Sequence, residues 1–242
     1  MKISGNTVLI TGGSSGIGLA LAERFLDAGN EVLICGRREG ALADVRKKHP
    51  ALHTLVADTG SAADRQALFA QTVSRFPRLN VLINNAGVQR KVPLTASEPW
   101  VETAQEIAIN LEGPVHLSML FIPHLLQQVR PVLASVSSGL AFVPIAAMPI
   151  YCATKAAVHS FTLSLRHQLA RTPIEVVEII PPAVRTNLGG AHDFGTPLDE
   201  YADAVMTQLA EGRPEVTYEF AAKSSQASRA ELDEMFERMN GR

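Results

Sequence analysis

Cysteine, tryptophan and net charge are all scarce in this 242-residue chain: two Cys, one Trp and a formal charge of −2. Cys35 and Cys152 are too few for a disulfide framework and lack the paired spacing of a zinc or redox site, so both read as buried thiols. The near balance of 22 basic against 24 acidic residues gives no global field to recruit nucleic acid or an anionic membrane. Any basic site must be local. No apolar stretch reaches the roughly 18–20 residues of a membrane helix, and Met1 to Asn6 leads into a strand-like run without the charged and apolar regions of a secretory signal. A cytoplasmic protein with no membrane insertion and no nucleic-acid partner is expected. His116, His159 and His167 have no cluster of carboxylates around them, so they read as structural and no metal is expected. The single Trp100 reads as packing.

What is present is apolar and evenly distributed. Hydrophobic residues make up 46% and charged residues 19%, the profile of a globular core, and the length fits one domain, 1–242, without repeat or linker. Short runs at Thr7–Ile10, Glu31–Cys35, His53–Ala57, Asn80–Asn84, Pro131–Val136 and Glu175–Ile180 are nearly continuous in Val, Ile and Leu, so they predict strands covered on both faces. Helix-length segments separate them. That alternation predicts a doubly wound α/β (Rossmann) parallel sheet of six to seven strands with helices on both faces, Glu215–Phe220 adding the last strand. A terminal helix is expected within 227–240. Residues 186–199, holding Gly189, Gly190, Gly195 and Pro197, read either as a substrate lid or as an ordinary surface loop.

The first strand runs into Thr11-Gly12-Gly13-Ser14-Ser15-Gly16-Ile17-Gly18 and then into a helix. Glycines let backbone N–H groups approach a phosphate closely, and the helix start adds partial positive charge, so this turn predicts dinucleotide binding. Arg37 and Arg38 follow the second strand, where the adenosine ribose lies in such a fold. An acidic residue there would repel a 2′-phosphate; two guanidinium groups would bind one. NADP(H) is therefore preferred and NAD(H) possible, with a solvated arginine pair as the bland alternative. Asp58, ending the third strand, either accepts from the adenine amino group or caps the helix that begins near Ser61.

Tyr151 and Lys155 stand four apart on a predicted helix, Tyr151–Leu169, so their side chains meet on one face. A neighbouring ammonium favours the phenolate of a tyrosine whose ordinary pKa is about 10. The pair can exchange a proton with a carbonyl oxygen, which Ser138, at the end of the fifth strand, would hold in place. Pro114 has no N–H, so a helical Asn110 would have a carbonyl free to bind a water leading toward Lys155, or merely mark a kink. Together these residues outline a hydride-transfer enzyme. Leu140 to Ile150, with Phe142, Val143, Pro144, Ile145, Met148 and Pro149, suggests an apolar pocket wall. Arg90 and Lys91 would either meet an anionic substrate or lie solvated.

In combination these motifs resemble the short-chain dehydrogenase/reductase family in its compact single-domain form. The nucleotide turn, Asn84-Asn85-Ala86-Gly87, and the set Asn110, Ser138, Tyr151 and Lys155 carry the likeness, from Thr7 to about Thr186. The resemblance implies that Asn85, Ala86 and Gly87 line the adenosine side, that Lys155 also holds the nicotinamide ribose beside Tyr151, and that Val184 and Thr186 meet the carboxamide. It further implies a homodimer or homotetramer. The wording of Val115-His116-Leu117, Ser138-Gly139-Leu140-Ala141-Phe142, Tyr151-Cys152-Ala153-Thr154-Lys155 and Ser228-Arg229-Ala230-Glu231-Leu232 is similar to the DltE-like oxidoreductase subgroup, a name that implies no substrate. Pro181-Pro182 departs from the usual Pro-Gly of the family, and the glycine-rich ending of ketoacyl reductases is missing, which weakens an acyl-carrier substrate. The expectation is an NADPH-dependent oxidoreductase acting on a small carbonyl or alcohol; the alternatives are a redox sensor without turnover and a partner-binding protein.

Overall fold

Runs of Val, Ile and Leu have no polar side to present to water, so each strand must be covered twice. A computed structural model of the chain describes residues 1–95, 100–190 and 193–241. Among them, β1 (Thr7–Thr11), β2 (Glu31–Gly36), β3 (His53–Val56), β4 (Val81–Asn84), β5 (Val132–Val136), β6 (Glu175–Ile180) and β7 (Glu215–Thr217) form one parallel sheet in the order 3-2-1-4-5-6-7. This is the doubly wound α/β arrangement that the sequence pattern predicts. Because β1 has β2 on one side and β4 on the other, the connections reverse there. A crevice opens at the carboxyl ends of the strands.

Strand periodicity sorts the core. Val8, Ile10, Val32 and Ile34 face one helical layer, and Leu9, Leu33, Leu82 and Leu133 face the other. On the first face lies α1 (Gly16–Asp27), whose buried Gly18, Leu21, Ala22 and Phe25 recur at helical spacing. Truncating Phe25, which is fully buried, would cost roughly 3–5 kcal/mol. On the second face lie α3 (Ala62–Arg75), α5 (Gly113–Leu125) and α6 (Pro149–Gln168), contributing Leu68, Leu117, Phe121 and Leu165. Both cysteines are buried and free. No helix of the described residues is long and apolar enough to cross a membrane.

Three details differ from the sequence expectation. The last strand stops at Thr217, because Glu219 takes φ 44° and turns the chain into α8 (Glu219–Ser224), carrying Phe220 out of the sheet. Trp100, at the start of α4 (Trp100–Ile107), is 70% exposed and does not pack into the core. Helix α3 is capped by the Ser61 hydroxyl, which accepts from the Asp64 amide, and not by Asp58, whose Oδ1 accepts from the Gly60 amide within the preceding turn. Near the end of the chain, Ser228 and Glu231 cap α9 (Arg229–Met239) reciprocally. Of residues 186–199, Ala191 and His192 lie outside the described residues.

Candidate active site

Between β1 and α1 the glycines are demanded by space as well as by conformation. A side chain on Gly12, at φ 67°, would stand 2.8 Å from the Ala86 Cα, and one on Gly18 would stand 2.4 Å from the Asn85 amide nitrogen. Gly16 also lies in the left-handed region, at φ 55°. The turn is stitched to the end of β4. Thr11 Oγ1 accepts from the Asn85 and Ala86 amides at 2.9 and 3.0 Å, and the Asn85 side chain donates back to the Thr11 carbonyl at 2.9 Å. Helix α1 then begins at Ser15 with no side chain capping it and no acidic residue in its first turn. Its leading N–H groups and dipole suit a phosphate, and the absence of Cβ atoms leaves room for one to approach. These residues fit a dinucleotide.

At the far edge of the crevice Arg37 and Arg38 are exposed, as a 2′-phosphate would need. Arg37 reaches Asp58 across 3.8 Å, so the cation and the carboxylate that the sequence assigns to the adenosine end are neighbours. Arg38 is the N-cap residue of α2 (Glu39–Lys48). Val184 is buried and pairs with Thr196, while the Thr186 methyl covers Gly16. The chain between them leaves and rejoins at a neck closed by Arg185 N to Thr196 O and Thr196 N to Ala183 O, both 2.9 Å. Thr196 also donates to Glu219 at 2.6 Å, and Gly189 lies against Gln89.

The four residues of the reacting end come together and are buried: Asn110 is 1% exposed, Lys155 4%, Tyr151 5% and Ser138 6%. Tyr151 and Lys155 occupy successive turns of α6, with Lys155 Nζ 5.7 Å from the phenol ring centre. Lys155 Nζ donates to the Val136 carbonyl at 2.8 Å. Ser138 follows β5 and opens a short 3₁₀ turn, Gly139–Ala141, against which Phe220 rests. Around Asn110 the backbone widens into a π turn, Ala108–Glu112, in which the Gly113 amide reaches the Ala108 carbonyl. Pro114 cannot donate to Asn110, and the wider turn is how the helix continues past it. The Asn110 side chain clasps Val88 in both directions, donating at 2.8 Å and accepting at 2.9 Å, and donates to Thr154 at 3.3 Å. Gly87 is bare toward this cluster, since a Cβ there would stand 3.7 Å from Lys155 Nζ.

Burial reverses the acidity expected of the phenol. It pushes Tyr151 up to about 12, opposed by the hydroxyl of Ser138 and reinforced by the nearby Cys152 and Glu106. It pushes Lys155 down to about 8, opposed by Glu178. Desolvation is the largest cause at both groups, and the ammonium turns to a backbone carbonyl. A phenol so placed is a proton donor at neutral pH.

Residues 6–193 match the model of the short chain dehydrogenase family. The chain belongs to that family. It is 46% identical, over 99% of its length and 98% of the relative's, to the uncharacterized oxidoreductase DltE of Bacillus subtilis. A Burkholderia cenocepacia short chain dehydrogenase in complex with NADP superposes with a TM-score of 0.85 at 26% identity, over 99% of both chains. A Brucella melitensis 3-ketoacyl-(acyl-carrier-protein) reductase complexed with NADH gives 0.72 at 31% identity, over 77% of this chain and 79% of that one.

In this short-chain dehydrogenase the Pro181 carbonyl accepts from Gly139 at 2.9 Å, so the Pro-Pro exit of β6 braces the Ser138 turn. The apolar wall is thinner than the sequence suggests: Val143 is fully buried and Phe142 packs edge-on against His159 at 4.6 Å, leaving Leu140, Ile145 and Met148 partly open. Arg90 does not stand free at the rim, for it donates to Glu102 and Gln105 of α4. Sequence reasoning misses Glu106, Glu178 and Phe220. Glu178 and Phe220 fall within expected strands, and no motif marks Glu106.

Proposed function

We propose that this short-chain dehydrogenase is an NADPH-dependent carbonyl reductase, or catalyses the reverse oxidation of an alcohol, on a small or medium substrate. The observation that carries this reading is the convergence of buried Ser138, Tyr151 and Lys155 at the carboxyl ends of the strands, beside a glycine cradle. The nicotinamide, when bound, supplies hydride to the carbonyl carbon. Ser138 Oγ donates a hydrogen bond to the carbonyl oxygen and fixes its position. Tyr151 Oη gives its proton to the same oxygen, a task suited to a phenol held near about 12. Lys155 Nζ spends one N–H on Val136 and keeps two, which serve the ribose hydroxyls and the phenolate left behind. The Asn110 carbonyl holds a water through which Lys155 regains protons from solvent. In alcohol oxidation the proton runs back to Tyr151.

At the adenosine end Arg37 and Arg38 bind the 2′-phosphate, Asp58 accepts from adenine, and Asn85, Ala86 and Gly87 line the pocket, while Val184 and Thr186 meet the carboxamide. The NADP held by the Burkholderia relative agrees with this preference; the NADH held by the Brucella relative keeps NAD(H) as a weaker ligand. The segment 186–199 acts as a lid. Met119 and Leu163, exposed on α5 and α6, support a homodimer or homotetramer through those helices.

The test is oxidation of NADPH, followed by its absorbance, across a broad panel of aldehydes and ketones. Tyr151→Phe should lose roughly 10²–10⁴ of the turnover while binding NADPH as the wild type does. A wild-type protein that binds NADPH and oxidises none on the whole panel would make the chain a redox sensor instead.

A further inference from the structure

The strand register draws a polar row across the sheet: Asn84 pairs with Ser135, Ser135 with Glu178, and Glu178 with Glu215. Side chains alternate along a strand, so Ser135 and Glu178 share the face of Leu133 and Val176, the face that α6 covers. Glu178 is 0% exposed there. An unpaired carboxylate at such a depth is strongly destabilising, so its surroundings must answer for it.

One answer is His159, whose Nδ1 lies 3.0 and 2.9 Å from the two carboxylate oxygens. The other is Lys155. It stands one turn before His159 on the same helix face, in line with Tyr151 a further turn back. Its Nζ is tied to the carbonyl of Val136, the residue after the strand partner of Glu178. A buried ammonium needs a counter-charge as much as a buried carboxylate does, and the lysine's anchor, Val136, and the carboxylate's strand partner, Ser135, are adjacent on β5. Around them Phe142 covers the imidazole, Arg166 of α6 and Glu215 of β7 pair with each other at 3.1 Å, and Tyr151 lies on the far side of Lys155. Arg166 and Glu215 act on His159 in opposite senses.

We propose that Glu178, anchored by His159, is the buried counter-charge of Lys155: a positioning residue that keeps the ammonium charged beneath Tyr151. The proposal rests on the reading of Lys155 as the cation of a reductase, and it adds to that reading where the charge comes from. Burial alone would discharge the lysine; the carboxylate opposes this, and Lys155 settles at about 8. Imidazole can donate from Nδ1 whether or not it is protonated, so His159 secures the carboxylate on both sides of its own titration.

The test reads Lys155 directly, by NMR titration of lysine-labelled protein with the signal assigned from Lys155→Arg. Glu178→Gln keeps the shape and removes the charge, so the Lys155 pKa should fall by about one unit. NADPH oxidation should then drop about fivefold at pH 8 and hardly at all at pH 6, because at pH 6 the lysine stays protonated either way. His159→Leu, which removes the donor that anchors the carboxylate, should reproduce the shift. His159→Asn, which keeps a donor at the Nδ1 position, should restore the wild-type value. An unmoved Lys155 in folded Glu178→Gln, or in folded His159→Leu should the first variant not fold, overturns the proposal, as does a loss of activity equal at all pH. A wild type without turnover on any carbonyl would overturn the function proposed above and leave the NMR result to stand by itself.

Discussion

Glu106→Leu should make this protein more stable, and more so as the pH rises. Glu106, in the last turn of α4, is 0% exposed, and among the described residues neither carboxylate oxygen has a hydrogen-bond partner. Burial raises its pKa against the pull of the Arg90 amide and charge, which face it without closing a hydrogen bond. A buried polar group left unsatisfied costs roughly 1–3 kcal/mol, and an ionised one more. Leucine fills a similar volume and asks for no partner. In a chain of this length each kcal/mol moves the melting temperature by about 2–4 °C, so the gain should be roughly 2–12 °C at pH 8. The sign with pH follows from linkage. A carboxyl whose folded pKa lies above its unfolded value of 4.5 favours folding while protonated, and that contribution is lost as pH rises through the folded value. The advantage of leucine should therefore be smaller at pH 4, below that unfolded value, than at pH 8, measured by calorimetry of both proteins in both buffers. No gain at pH 8, or the same gain at both pH values, would refute the argument. The gain should come with altered chemistry, because the charge of Glu106 helps to raise Tyr151.

Three further outcomes are expected. Arg37→Ala should weaken NADPH by about 10- to 100-fold, the worth of a charge-assisted hydrogen bond to phosphate, and NADH by less than about threefold; fluorescence titrations showing equal losses would overturn the phosphate assignment. Gly18→Ala should cost about 1–3 kcal/mol in urea unfolding, since its Cβ would press on Asn85 at 2.4 Å and on the Gly12 carbonyl at 2.6 Å; an unchanged midpoint would mean that the two turns are not locked together. Cys35, fully buried with its thiol pushed up to about 12, should resist thiol reagents at pH 8 until the protein unfolds. Labelling at the rate of a free thiol in the native state would contradict that burial.

Much of the architecture was legible because β1, β2, β4 and β5 are written in residues that tolerate burial on both faces. The ends of elements were less so. Phe220 continues an apolar run, yet the left-handed turn at Glu219 is a tertiary choice that hydrophobicity does not encode. The reacting cluster was visible through spacing, since Tyr151 and Lys155 sit one turn apart and Ser138 closes a strand. The charged residues behind it were hidden. Glu178 lies in a strand expected to be covered on both faces, with nothing nearby in the sequence to pair with it, and its partner His159 becomes evident only once α6 is laid over β6. Proton affinities are as hard to read from the sequence, because the cost of sealing phenol and ammonium from water does not show in their spacing.

The neck at Val184 and Thr196, fastened again through Glu219, separates what happens beyond it from the sheet beneath. The two sides of the neck thus hold each other through their own backbone. On the lid reading proposed above, grafting other sequences between Thr186 and Thr196 should leave thermal unfolding nearly untouched, keep the cofactor contact of Thr186, and change which molecules are accepted, giving evolution, or an engineer, a place to alter selectivity without rebuilding the scaffold.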